Sequence, residues 1–457
     1  ITAEMVRRIA DEIEEKTKSG EDLDHALSEI IVSYIRAHGR IIYNGNNYSK
    51  EVRMTAKTRL VFFLAHPRVS GIEVALCALL DNFDYTRFDV TVVFTTAADY
   101  EGSSILGRLD SRARIVVADR TTCVTFTRRY RWNVLRRIGG FLFWHLPGPF
   151  RPLGRLIYDA EVRLYAGYIR REMDVTDFDT VVLYHPWATE VAVQTFRWKR
   201  FLLVYHCGDR ENIFRQELGF AAADCILSVG RRVADDIRRW WPEYAEKVAV
   251  AENLVDVRHV LSRAEEPLDG TDAAAFDPGF VHVVTCARLN PLKGIDLGLK
   301  AVALLAHEGA PAFRWHVIGW DREEPVYREQ ARRLGIEGLV VFHGHRPNPY
   351  PLMRRADVYL QPSLKEALGL TISEALLLGC PVVSTRTAGG IDQLSEPGVK
   401  GVLCDVSAEG IAAALRPLLA DPAAREALRN WDDQARCEEL NRRRIARFES
   451  LCIPRKC

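Results

Sequence analysis

From residue 59 onward, short runs of β-branched and aromatic residues alternate with longer segments whose apolar positions recur every three or four residues. RLVFFLAHP, FDVTVVFT, ARIVVAD, DTVVLYHP, RFLLVYHCG, CILSVG and KVAVAENLV form a first series. They are apolar almost throughout, as strands are when both faces of a sheet are covered, and the segments between them suit helical crossovers. The pattern predicts a parallel sheet with helices on both sides. The stretch SRAEEPLDGTDAAAFDPG, from Ser262, is polar and holds Gly and Pro, so it reads as a linker. VHVVTCARL, FRWHVIGW, LVVFHG, ADVYLQPS, CPVVSTR and GVLCDV form a second series, with helices predicted over 294–307, 323–334, 351–355, 371–378 and 408–419.

The expectation is an α/β protein with two doubly wound domains, residues 54–262 and 280–421, joined by a linker at 263–279. Such domains face a cleft between the C-terminal edges of their sheets. Residues 1–53 differ: charged, with Val6, Ile9 and Ile13, then Leu23, Leu27, Ile30 and Ile31 at helical spacing, they predict a helical extension with no assigned activity. Residues 422–457 predict a charged helical tail that packs back across the domains.

A chain of 457 residues with 48% apolar and 27% charged residues suits several globular domains. Its net charge of +1 gives no global attraction to nucleic acid, and none is expected as partner. The 10 cysteines include no C-x-x-C pair; Cys77, Cys225, Cys286 and Cys380 sit singly in apolar runs, as buried thiols do in a reducing cytosol. No apolar stretch nears the roughly 18–20 residues that span a bilayer. The expected location is the cytoplasm, with peripheral contact at the inner face of the cell membrane.

Candidate chemistry concentrates in KEALGLTISEALLLGCPVVSTRTAGG, residues 365–390. Glu366 falls in the loop after a strand and Glu374 one turn into the next helix, near a helix N-terminus whose free N–H groups attract anions. Gly369 permits close backbone approach to a phosphate, and a carboxylate there can accept from ribose hydroxyls. In CARLNPLKG, Arg288 and Lys293 place two cations on one turn before a helix, as a nucleoside diphosphate requires. Taken alone, two glutamates are ordinary solvated helix residues and an Arg with a Lys is ordinary surface charge. His185 and His206 end strands on one edge, where a lone histidine is more often structural. Asp177 and Asp179 form a D-x-D at a strand start, read as polar punctuation and not as a metal site.

The 365–390 segment resembles the E-x7-E signature of retaining glycosyltransferases of family four, which have the GT-B fold of two Rossmann-like domains. A PS precedes the first Glu, EA marks the second, and G-x-PVV and a GG follow. Ala367 stands where the family often has Gly or Pro. The resemblance implies that Glu374 binds the donor ribose, that Glu366 lies near the sugar, and that the backbone of Leu368, Gly369 and Leu370 lies near the diphosphate. CARLNPLKG is similar to the family's G-R-L then K-G, with Ala287 at the usual Gly. SGIE at 70–73 is similar to its GGxE loop, with Ser70 at the first Gly; Gly71 keeps the close approach and Glu73 falls beside the sugar or acceptor. His206 with Asp209 resembles its H-x-x-D run, which implies sugar contact, with His185 as a second contact.

NPYPLMRRADVYLQPS and ENLVD (252–256) look like bacterial capsular and exopolysaccharide members, and the resemblance covers residues 54–419. It implies transfer from a nucleoside-diphosphate sugar, UDP favoured over GDP, to a glycan or polyprenyl-linked acceptor. Arg288, Lys293, Glu366 and His206 would be the catalytic set, with no metal and no cofactor beyond the donor. The leaving diphosphate itself takes the acceptor proton while the two cations stabilise its charge. Two other readings stand beside this one: a nucleotide-sugar-binding module without catalysis, and a GT-B nucleotide-sugar epimerase. A sugar phosphorylase would need a pyridoxal lysine, for which Lys293 and Lys365 are poorly placed. Residues 121–158 contain no acid and interleave Arg128, Arg129, Arg131, Arg136 and Arg137 with Trp132, Phe141 and Trp144, which suits an anionic membrane surface or a lipid diphosphate. The blander reading is a packed loop and helix with solvated arginines.

Overall fold

Strands β1 (Thr58–Leu64), β2 (Phe88–Phe94), β3 (Arg114–Val117), β4 (Asp177–Leu183), β5 (Arg197–Tyr205), β6 (Cys225–Ser228) and β7 (Val248–Val250) form the first sheet, in the order β3-β2-β1-β4-β5-β6-β7. All neighbours are parallel. The computed structural model describes residues 57–67, 70–96, 104–118, 151–185, 189–207, 210, 217–429 and 433–454. The predicted extension at 1–53, Asp209, and the basic segment as far as residue 150 lie outside the described residues. Crossovers are helices α1 (Gly71–Asp81), α2 (Arg151–Glu172), α3 (Thr189–Thr195), α4 (Glu217–Ala222) and α5 (Arg231–Trp240). Among the described residues, no helix is long and apolar enough to cross a membrane.

Helices α6 (Val257–Ala264) and α7 (Gly270–Ala275) lead to the second sheet. Its strands are β8 (Val281–Cys286), β9 (Phe313–Ile318), β10 (Val340–Gly344), β11 (Val358–Gln361), β12 (Val382–Thr385) and β13 (Val402–Cys404), ordered β10-β9-β8-β11-β12-β13 and all parallel. Helices α8 (Ile295–His307), α9 (Glu324–Arg333), α10 (Tyr350–Arg354), α11 (Leu370–Leu377), α12 (Ala388–Leu394) and α13 (Ala408–Ala420) cover it. Strand order reverses between β1 and β4 in one sheet and between β8 and β11 in the other. Each reversal leaves a crevice beyond the C-terminal strand ends, where doubly wound sheets bind ligands. The core explains the uniform apolar runs: Leu60 to Leu64 of β1 are all fully buried, so neither face of that strand meets water.

Two segments depart from the sequence pattern. KVAVAENLV yields only the three residues of β7, because Glu252 and Asn253 interrupt the apolar run and Asp256 caps α6, accepting from the His259 N–H. Part of the predicted linker is helical. Asp269 caps α7 by accepting from the Asp272 N–H, and three alanines follow. Asp272 is then buried, accepting from His343 (2.7 Å) and from Arg346 (2.6 and 2.8 Å). His343 meets His316 and His316 meets His282, each at 2.9 Å, so three rings on adjacent strands continue to the Asp277 carbonyl at 3.0 Å. Phe276 stacks on His316 at 4.2 Å. The segment between the domains is thus sewn to the second sheet by a buried polar chain.

The tail forms α14 (Pro422–Ala427) and α15 (Asp433–Cys452), and α15 returns to the first domain. Phe448 lies 6.1 Å from Phe62 and 6.2 Å from Phe83 between ring centres, Thr180 donates to the Cys452 carbonyl (2.6 Å), and the Asp84 N–H donates to Glu449 (2.8 Å). On the way it grips the chain before α6: Asn441 exchanges hydrogen bonds with the backbone of Val255 at 3.1 and 2.7 Å. The domains also meet directly. Ala367 and Leu368 of the second pack into the core of the first, and the Arg232 N–H donates to Asp392 at 3.0 Å.

Candidate active site

The second switch point is built by two loops about seventy residues apart. After β8 the chain passes Arg288, makes a short turn over Pro291–Lys293, and enters α8 through Gly294. Gly294 has φ +65°, and a Cβ there would lie 2.0 Å from the Pro362 carbonyl oxygen, so only glycine lets this turn rest on the loop after β11. The Leu364 N–H donates to the Leu292 carbonyl (2.8 Å) and closes the contact. This docking brings Lys293 Nζ to Glu366 Oε1 at 2.5 Å. The same oxygen accepts from Gln361 Nε2 and Ser363 Oγ, both at 2.9 Å. Gln361 is itself held, its oxygen accepting from Tyr359 (3.0 Å) and Thr371 (3.1 Å). Glu366 therefore has a fixed orientation, whereas Arg288 stands exposed on the same edge.

Glu374 is placed differently. It lies one turn inside α11, whose N-cap is Gly369 at φ +76°, and it is buried with its Oε1 accepting from the Tyr350 hydroxyl at 3.2 Å. Burial raises its carboxyl from 4.5 to about 7, with the Tyr350 hydroxyl and Arg108 pulling the other way. Among the described residues the two glutamates share no partner: one is an ion-paired acceptor at the loop, the other a desolvated carboxyl beneath the helix start. The loop between them is clamped by α12. The Gly389 N–H donates to the Glu366 carbonyl (2.9 Å), and a Cβ on Gly389 would lie 2.2 Å from the Leu368 carbonyl oxygen, which explains the GG that ends the signature. Gln393 donates to the carbonyls of Leu368 and Gly369. Gln361, Ser363, Tyr350 and Gln393 are the supporting residues that sequence reading missed; QPS before the first glutamate was the available signal for two of them.

Across the cleft, Ser70 caps α1 by accepting from the Ile72 N–H (3.3 Å), and its hydroxyl donates to Glu73, a local capping arrangement of the S-x-x-E kind. A Cβ on Gly71 would lie 4.0 Å from Leu370, so this loop meets the start of α11. Glu73 is fully buried. Its Oε1 sits 3.3 Å from His66 Nδ1 and 3.3 Å from His185 Nε2. Burial alone would raise the Glu73 carboxyl, but His66, His185 and Ser70 together hold it below the usual range. Burial lowers His185 to about 4 and His206 to about 3, so both rings are neutral. His206 packs on Tyr184 (4.8 Å between rings) with its Nε2 buried and unpartnered.

His66, Glu73 and His185 bring one ligand-type atom each within 4.8 Å of one another, the composition of a metal site. The hydrogen bonding does not fit one. The Ala65 N–H donates to His185 Nδ1 at 3.0 Å, which puts the ring proton on Nε2, facing Glu73. A metal-binding imidazole shows the reverse, its outer nitrogen donating to the protein. His185 Nδ1 is thus taken by the Ala65 N–H, and its Nε2 faces Glu73 at 3.3 Å. Of the D-x-D, Asp179 is occupied: it accepts from the Arg59 N–H (2.8 Å) and from Lys199 (2.7 Å).

Residues 273–437 match the family model of the group 1 glycosyl transferases. The chain is 28% identical over 214 residues to the lipopolysaccharide core biosynthesis glycosyltransferase LpsE of Rhizobium meliloti, covering 46% of this chain and 58% of that protein. It is 29% identical over 145 residues to the lipopolysaccharide glucosyltransferase WaaG of Escherichia coli, covering 32% and 38%. The chain spans about half the length of the curated relatives it matches. Among solved structures, Anabaena HepE in complex with UDP and glucose superposes with a TM-score of 0.61 at 18% identity, covering 86% of this chain and 99% of that one. The architecture is that of the GT-B fold, and the chain is similar in sequence, over part of its length, to glycosyltransferases of bacterial polysaccharide synthesis.

Proposed function

We propose that the protein transfers a glycosyl group from a nucleoside-diphosphate sugar to a hydroxyl of a glycan or lipid-linked acceptor, with retention at the anomeric carbon. The observation that carries this is the Lys293–Glu366 pair, fixed by Gln361 and Ser363 at the second switch point, within the stretch that matches the group 1 glycosyl transferases. Glu374 takes the ribose hydroxyls, and the backbone of Leu368, Gly369 and Leu370 approaches the diphosphate. Lys293 keeps two N–H directions beyond its bond to Glu366; with the exposed Arg288 it binds the leaving diphosphate. As the bond from the anomeric carbon to the phosphate oxygen breaks, its electron pair passes to the diphosphate. The bond to the acceptor oxygen forms, and the acceptor proton goes to the departing phosphate. Glu366 steadies Lys293 and faces the sugar; neither glutamate is a general base.

UDP is favoured as the nucleotide, supported by HepE in complex with UDP-glucose. The reading includes work at the inner membrane face, through the basic segment at 121–158. Incubation of the purified protein with UDP- and GDP-sugars should release nucleotide. Binding of nucleotide without release from any donor would favour a module without catalysis, and no nucleotide binding at all would end the proposal.

A further inference from the structure

Away from the cleft, a buried row of side chains joins the segment between the domains to the second sheet, and its protons do not balance. From α7 inward the order is Asp272, His343 on β10, His316 on β9, His282 on β8 and the carbonyl of Asp277, with contacts of 2.7, 2.9, 2.9 and 3.0 Å. Each contact needs one proton, so the row needs four. Three neutral imidazoles bring three, and the carbonyl brings none. Asp272 is ionised: Arg346 donates to both its oxygens, and Arg346 and His343 hold its carboxyl below the usual range. The row therefore has two states. With three protons, the carboxylate, as the strongest acceptor, draws every ring proton toward itself. Nδ1 then carries the proton on all three rings, and His282 Nε2 faces the Asp277 carbonyl with no hydrogen between them. That link is the least costly to lose, because the Phe280 N–H also donates to this carbonyl at 3.1 Å. With a fourth proton, His282 and His316 donate from Nε2, His343 donates from both nitrogens, and all four contacts are hydrogen bonds.

We infer that this row of histidines is a proton-operated latch: uptake of one proton completes it and fastens Asp277, at the end of the segment between the domains, to the second sheet. The latch does not depend on the transferase reading. Its charge settles on His343, next to Asp272, because burial lowers His316 to about 3 and lowers His282 as well. The charged groups around the row are Asp272 and Arg346 at the His343 end, Arg314 beside His316 and His282, Asp357 and Asp277 beside His282, and Asp269 facing Arg346. All three rings are buried, so a proton taken up is held by the row and not by water. The charged end also anchors the loop after β10: Arg346 donates to the His343 carbonyl (2.5 Å), a few residues before Tyr350, which holds Glu374. Because the folded chain gains a proton that completes a bond, this stabilisation is present at low pH and is lost as pH rises through the midpoint of uptake.

The test is side-chain nitrogen NMR of the full chain from about pH 5.5 to 9.5, with the rings assigned through His282→Gln, His316→Gln and His343→Gln. On the alkaline side all three rings should carry the proton on Nδ1. On the acid side His282 and His316 should carry it on Nε2 and His343 on both nitrogens, with one shared midpoint. Asp272→Asn removes the carboxylate and supplies the fourth N–H from its own amide, so its three rings should stay neutral with the proton on Nε2 throughout. Hydrogen exchange of residues 269–281, corrected for the intrinsic effect of pH, should rise by roughly threefold to tenfold through the midpoint in the wild type and stay flat in Asp272→Asn. Tautomers that never change, rings that titrate with separate midpoints, or exchange that ignores the midpoint overturn the inference. Should Asp272→Asn fail to fold, the wild-type spectra and exchange decide alone.

Discussion

The two switch points occupy equivalent places in two copies of one topology, yet they solve opposite electrostatic problems. In the second domain, the loop after β8 presents a lysine whose charge meets a glutamate bound by three donors, with an arginine in the open beside it. In the first, the opening turn of α1 buries a glutamate completely beside His66 and His185. One edge is arranged to attract a multiply charged anion, while the other keeps its carboxylate shut inside the fold. The contrast teaches that this fold divides labour by what it places on the first loop after each sheet's central strand, while the sheets themselves stay alike.

The comparison breaks most visibly through its cations. Lys293→Ala removes the partner of Glu366 and a charge at the diphosphate, and should lower turnover by on the order of 100-fold or more. Steady-state nucleotide release measures it; a loss below about threefold would contradict the assignment.

Glu374→Gln should weaken nucleotide binding by about tenfold, a lost charge-assisted contact. It should also stabilise the free protein above pH 7. The Glu374 carboxyl is raised in the folded state from 4.5 to about 7, so its contribution is complete below about pH 4.5 and is lost as pH rises through about 7. That shift corresponds to ~3 kcal/mol, which glutamine would restore at alkaline pH. Thermal unfolding between pH 5 and 8.5 should give a flatter profile for the variant.

A smaller effect follows from Gly389→Ala. Its Cβ meets the Leu368 carbonyl oxygen, so the clamp on the loop must shift, at a cost of about 1–3 kcal/mol. Denaturant unfolding reads it, and donor KM should rise with it. At the bottom of the scale is Asp179→Asn, whose side chain accepts, among the described residues, from the Arg59 N–H and Lys199 at a strand start. Stability should change by less than about 1 kcal/mol, and nucleotide release should be unchanged with or without a chelator.

Much of the second domain was legible in the sequence because three of its helices run into a glycine (Gly309, Gly335 and Gly379) and its strands are mostly apolar. The helix predicted over 294–307 is Ile295–His307, and that over 371–378 is Leu370–Leu377. Helix α7 was not legible, because the Gly and Pro around it outweighed a short cap-and-alanine signal. In the candidate site, Lys293 and Glu366 could be named from spacing and resemblance, but their contact depends on Gly294 resting on Pro362, which no local pattern announces. His66 was missed altogether. It lies close to Glu73 in sequence, but its meaning comes from His185, more than a hundred residues away, sharing the same carboxylate oxygen. Conversely, His185 carried the right signal of a strand-end histidine and has a supporting place, because Ala65 takes its other nitrogen.

The central claim is that the edge formed by Arg288, Lys293, Glu366 and Glu374 holds a nucleoside-diphosphate sugar. Titration calorimetry with UDP-glucose and GDP-mannose on the full chain, and on its Lys293→Ala and Glu374→Ala variants, tests it most directly. The expected result is saturable one-to-one binding of at least one donor by the wild type, weakened about tenfold or more in each variant. Absence of binding to the wild type, or equal affinity in all three proteins, would contradict it.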